Sequence, residues 1–158
     1  MHSYKNYFAN NDKIIWKQGR RFKYYDMESR DFTEFFQELA LEQYHDIEYS
    51  ALKFFRKHSE LMKRYDICDE YGLHNLLKIL CRKSGIKNIF FGRTPMIEFG
   101  KTNRDKQVVD MLMRLAPIKV QDFCDAYEAE YGVQAKTVSA NFLKNIDSRR
   151  FDVVLPKG

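Results

Sequence analysis

The apolar positions fall into short runs with two different periods. Ile14, Ile15 and Trp16 precede a glycine, and Phe22, Tyr24 and Tyr25 follow it. Two β-prone runs around Gly19 predict a hairpin. Just before it, Tyr4 to Asn10 reads as the end of a helix. Helical spacing then takes over: Phe32, Phe35, Phe36 and Leu39 predict one helix, with Ser29 or Asp31 as its cap and Glu34 at the capping-box position. A second helix is expected from Asp46 as cap to Tyr65, carrying Ile47, Leu52, Phe54, Phe55, Leu61 and Met62. A third, capped by Asp66 or Asp69, holds Leu73, Leu76, Leu77 and Leu80 and stops at Ser84-Gly85. Ile86 to Phe91, the Gly92-Arg93-Thr94-Pro95 break and Met96 to Phe99 predict a second hairpin closed by Gly100.

The pattern then starts again. Asn103 caps a run with Val108, Val109, Leu112, Met113 and Leu115, ended by Ala116-Pro117. Lys119 to Tyr131 gives another helix, closed by Gly132, and Thr137 to Ile146 a third. Phe151 to Leu155 reads as a strand. Three helices followed by a hairpin is the winged helix-turn-helix arrangement, whose closing hairpin is the wing. The expected fold is therefore mainly α with short β-hairpins (α+β), as tandem winged helix-turn-helix units. The expected domains are an N-terminal segment with the hairpin over 1–28, unit 1 over 29–100 and unit 2 over 101–158. Lys5 to Phe22 and Ala140 to Phe151 both run from an Asn-aromatic pair to Arg-Arg-Phe. The front segment thus reads as the wing of a preceding repeat, and the chain as a piece of a longer array.

Composition narrows the class. The 158 residues are 44% hydrophobic and 15% aromatic, with only seven Gly and three Pro, which excludes a disordered or collagen-like chain. No apolar run is long enough for a membrane helix, and no leader opens the chain, so a cytoplasmic protein is expected, nucleoid-associated if bacterial. Cys68, Cys81 and Cys124 are odd in number and lack CxxC spacing, which argues against disulfides and structural zinc. The net charge of +5 is uneven. Residues 1–30 carry seven Lys/Arg against three acids, whereas 31–66 carry five against eight. Such a distribution can form one basic face on a mixed surface.

Candidate chemistry follows from the third helices and the wings. In the first unit Tyr71, Asn75, Lys78 and Arg82 form a polar stripe, with His74 beside it. In the second, Thr137, Asn141 and Lys144 do the same, with Lys136 near. The wings supply Arg93 in one unit and Arg149 and Arg150 in the other, and the front hairpin adds Lys17, Arg20, Arg21 and Lys23. Asn reads adenine bidentately, and Lys or Arg reaches guanine or phosphate. These fifteen residues, Tyr71 aside, are the expected nucleic-acid contacts, and DNA is the expected partner.

The stretch from about Asp31 to Gly100 resembles the HARE-HTH winged-helix family. The residues that carry this are Glu70-Tyr71-Gly72-Leu73-His74-Asn75-Leu76-Leu77-Lys78 and Ile89-Phe90-Phe91-Gly92-Arg93-Thr94-Pro95-Met96. The resemblance implies DNA binding, as in bacterial transcription and restriction proteins and eukaryotic chromatin proteins. It supplies no catalytic residues. The long second helix and Gly72 depart from the pattern.

Enzymatic readings find little. His45, Asp46, Glu48 and His58 lie in one region, but His45 falls at a turn and Asp46 at a cap. Gly100-Lys101-Thr102 would end a phosphate loop, yet Pro95 stands where that loop needs glycine. No enzyme, cofactor, metal or small-molecule substrate is expected. The alternative is a winged-helix protein–protein interaction module that uses the aromatic surface and the acidic 31–66 segment.

Overall fold

The computed structural model describes residues 14–17 and 21–146; for 14–17, 21–24 and Asn145 it describes the backbone alone. Among the described residues the molecule is mainly helical, with one small three-stranded antiparallel sheet and a separate two-stranded hairpin. The hairpin is β1 (Ile14–Lys17) paired with β2 (Arg21–Tyr24), with Lys17 opposite Arg21. The first long stretch then gives α1 (Thr33–Leu39), β3 (Ile47–Ser50), α2 (Ala51–Lys57), α3 (Ser59–Arg64) and α4 (Glu70–Lys83). β4 (Ile89–Phe91) and β5 (Met96–Phe99) follow, then α5 (Arg104–Leu115) and α6 (Val120–Tyr131). A short α-turn α7 (Ala135–Thr137) runs on into a π-turn (Val138–Phe142) and a 3-10 turn (Leu143–Asn145).

The expected helix over 46–65 is corrected. The four residues after Asp46 are β3, and the rest breaks into two helices at His58. Ile47-Glu48-Tyr49-Ser50 alternates in burial, as a strand does, and Ser50 ends it by accepting the Leu52 N–H at 3.2 Å. Asp46 is not a helix cap. It sits at φ 54°, and its Oδ1 accepts the Lys101 N–H at 2.9 Å. Glu34 makes no capping box either: it pairs with Arg64, while Asp31 accepts the Thr33 N–H at 3.0 Å. Asp69 does cap α4, through Gly72 N–H at 2.8 Å, and Asn103 caps α5, through Lys106 N–H at 3.0 Å.

The added strand turns the expected second hairpin into a sheet of order β3-β5-β4. The register sets Ile47 opposite Phe99 and Tyr49 opposite Ile97, and aligns Ile89 with Phe99 and Phe91 with Ile97. Those residues share one face of the pleat and pack onto a core made by α1 to α4, with Phe35, Phe54, Leu73, Leu76 and Leu77 wholly buried. Tyr25 and Met27, just N-terminal to α1, belong to this core as well. The opposite face carries Glu48, Ser50, Met96 and Glu98. Met96 joins a second core with Val108, Met111, Leu112, Phe123, Tyr127, Val138 and Phe142, built by α5, α6 and the last helical segment.

The two cores are tied across this face. Arg104 grips the buried Glu48 carboxylate with two bonds, Nε to Oε1 at 2.9 Å and Nη2 to Oε2 at 3.2 Å. Gln107 clamps the Glu48 backbone from both sides: its Oε1 accepts the N–H and its Nε2 donates to the C=O, each at 3.0 Å. Lys53 donates to the Ala129 carbonyl at 3.0 Å, and Arg56 to Glu128 at 3.1 Å. Among the described residues, no helix is long and apolar enough to cross a membrane.

Candidate nucleic-acid interface

α4 is the helix expected to present a polar stripe. Lys78 and Arg82 are exposed on it. His74 and Asn75 are not, being 3% and 4% exposed, so as placed neither faces a ligand. The reason is that α4 is covered on several sides. α2, β1 and β4 all lie against it. His74 Nε2–H donates to the Met96 carbonyl at 3.0 Å, and its ring meets Phe91 edge-on at 5.4 Å. Burial is the main force that lowers its pKa to about 4, with Lys78 adding to the effect and the Met96 bond opposing it. A neutral imidazole bound to a backbone carbonyl serves packing, not phosphate.

The wing turn between β4 and β5 exposes Arg93, and the Met96 N–H closes the turn onto the Arg93 carbonyl at 2.8 Å. In the last helical segment Val138 and Phe142 are buried at a spacing of four and fix its inner side. Lys136, Asn141 and Lys144 are then left exposed, and Thr137 half-buried. Between these two elements lies a groove of about 460 Å³. It brings together Arg93 from the wing and Thr137, Asn141 and Lys144 from the last segment. Lys78, Arg82 and Lys136 stand outside it. Lys17, Arg21 and Lys23 are described as strand positions only, and Arg20, Arg149, Arg150, the 151–155 strand and the matching Asn-aromatic motifs' N-terminal copy lie outside the described residues.

Arg104 and Tyr71 also line the groove, as does Glu70, whose carboxyl burial and the neighbouring Asp69 push up in pKa. Arg104 is not among the expected contacts. A signal for it exists: it is the first residue of α5, where the positive end of the helix dipole opposes a cation. A basic residue there needs another reason, and Glu48 with the Phe142 ring supplies it. The Arg104 guanidinium lies 4.3 Å over that ring. Arg93 and Lys144, by contrast, have no carboxylate within ion-pair reach among the described residues.

Cys68 is exposed, while Cys81 and Cys124 are buried, and burial pushes the Cys81 thiol up to about 11. Among the described residues no three His, Cys, Asp or Glu side chains gather closely enough to hold a metal ion. No protein-family model, curated protein or solved structure matches the chain.

Proposed function

We propose that the chain is a non-catalytic nucleic-acid-binding module of tandem winged-helix units, with double-stranded DNA as its ligand. One observation carries this reading. Arg93 comes from the wing and Thr137, Asn141 and Lys144 from the last helical segment, and they converge on one groove in which Arg93 and Lys144 have no carboxylate partner among the described residues. Phosphate needs such uncommitted positive charge, and base edges need amide and hydroxyl groups beside it. The winged-helix part of the reading is supported by the chain order α1, β3, α2–α3, α4, β4, β5 and by the central place of β5 in the sheet. The resemblance to the HARE-HTH family adds to it, resting on the α4 and wing residues.

The test is duplex binding across a salt series. The logarithm of affinity should fall linearly with the logarithm of salt concentration, by roughly 0.9 per phosphate neutralised. The Arg93→Ala/Lys144→Ala double variant should lose about 1.8 from that slope. Failure to bind any duplex at low salt overturns the reading. A protein-interaction module is the second reading, favoured by Phe90 and Ile86, which are 54% and 38% exposed. Partner binding through those apolar groups would be nearly indifferent to salt.

A further inference from the structure

The shape of the groove says more than its charge. A duplex is a convex cylinder, read by convex helices that enter its grooves. Here the side chains that would have made α4 such a reading helix, His74 and Asn75, are buried, and what the molecule presents is a hollow. Its volume of about 460 Å³ falls in the range of pockets that enclose one small ligand, roughly 300–1,000 Å³. A hollow of that size accepts a single projecting group.

The lining fits one chemistry. Arg93, Arg104 and Lys144 give it three cations. Glu48 engages only Nε and Nη2 of Arg104, and the Phe142 ring covers one face, so the guanidinium is held on an edge and a face while Nη1 remains free of Glu48. Its position is fixed before any ligand arrives, which lowers the ordering cost of binding. Asn141, Thr137 and Glu70 bring donors and acceptors of the kind a base edge needs, and the half-buried Tyr71 lines the groove as an aromatic residue of the kind on which bases stack.

We infer that the groove receives one unstacked nucleotide, with its phosphate among Arg93, Arg104 and Lys144 and its base against Tyr71. This rests on the nucleic-acid reading and extends it: the preferred DNA is a duplex that offers an unpaired nucleotide. A free nucleoside monophosphate has the same chemistry and is the other source of such a group.

The experiment uses the full chain and fluorescence anisotropy with three probes: a blunt duplex, and the same duplex with a one-nucleotide 3′ or 5′ overhang. A deoxynucleoside monophosphate is titrated separately by calorimetry. At least one overhang should bind roughly 5- to 150-fold more tightly than the blunt end, the range that corresponds to stacking one base on an aromatic ring. Tyr71→Ala should abolish that preference, and Tyr71→Phe should keep it. Arg93→Ala, an exposed position, guards against misfolding as the cause and should also shrink the preference. Equal, salt-dependent binding of all three duplexes overturns this inference and leaves the DNA reading standing. Binding of the monophosphate alone, lost in Arg93→Ala, supports the groove and overturns the DNA reading. Binding of neither overturns both.

Discussion

His74 shows what a single residue's spacing can and cannot say. It lies next to the polar stripe of α4, so the sequence offers it as a contact. Its fate is decided by what lies over α4, and that comes from residues far away in the chain. With its pKa lowered to about 4 by burial, the imidazole is neutral when folded, whereas in the unfolded chain it titrates near 6.5. Between those values the unfolded state holds the extra proton. Stability from this group is therefore complete above about pH 6.5 and is lost as pH falls towards 4. The loss is on the order of 3 kcal/mol. Carboxylates also titrate there, so the measure is a difference: urea unfolding at pH 7 and pH 4.5 should show a smaller acid loss in His74→Gln than in the original chain. Equal losses would mean that His74 is protonated in the folded state. Leu76 gives the simpler case, legible from its apolar spacing and fully buried. Leu76→Ala should cost roughly 2–5 kcal/mol in the same assay.

At the scale of elements, long periodic runs declare themselves in the sequence and short ones do not. α4, α5 and α6 fall within a residue or two of their expected spans because each has a cap or stop: Asp69, Asn103, and Gly132. β3 is hidden in the sequence because its four residues of alternating burial run directly into a helical stripe that Ile47 extends in register. Strand pairing with β5 is a long-range event that local periodicity does not carry. The groove is half legible for a related reason. Its polar residues stand out on their elements, whereas Arg104 is recognisable only once Glu48 and Phe142 are beside it. Gly132 joins sequence and tertiary structure directly. It ends α6 at φ 80°, and a Cβ there would lie 2.6 Å from the Lys53 backbone nitrogen. Left-handed backbone costs a non-glycine residue about 1–2 kcal/mol, and the backbone clash with α2 adds to it. Gly132→Ala should lower stability by more than about 2 kcal/mol by thermal or urea unfolding. A neutral result would mean that α2 and α6 stand farther apart than described.

At the scale of the whole molecule, the described residues hold two cores, one for each expected unit, and they are not built independently. Ile47 and Tyr49 pack against both cores, and Met96, a β5 residue, lies inside the second. The sheet of the first unit is thus the floor of the second. Over it lies Glu48, whose side chain is 5% exposed and whose charge is met by Arg104. Deleting one partner of a buried ion pair strands the other, which costs more than the pair contributes. Arg104 is itself 40% exposed, so water relieves part of the penalty in its absence. Arg104→Ala should therefore destabilise by about 3 kcal/mol, the low end for such losses. Glu48→Gln added to it should recover part of that, because the stranded charge is removed while the amide keeps hydrogen-bonding capacity. The coupling between units predicts the form of the transition too. Calorimetric and van't Hoff enthalpies should agree for the full chain, and residues 101–158 alone should show no cooperative melt. Two resolved transitions, with Arg104→Ala shifting neither, would show that each core closes by itself. The groove would then be formed by two bodies free to part, and its pre-set Arg104 would lose its physical basis.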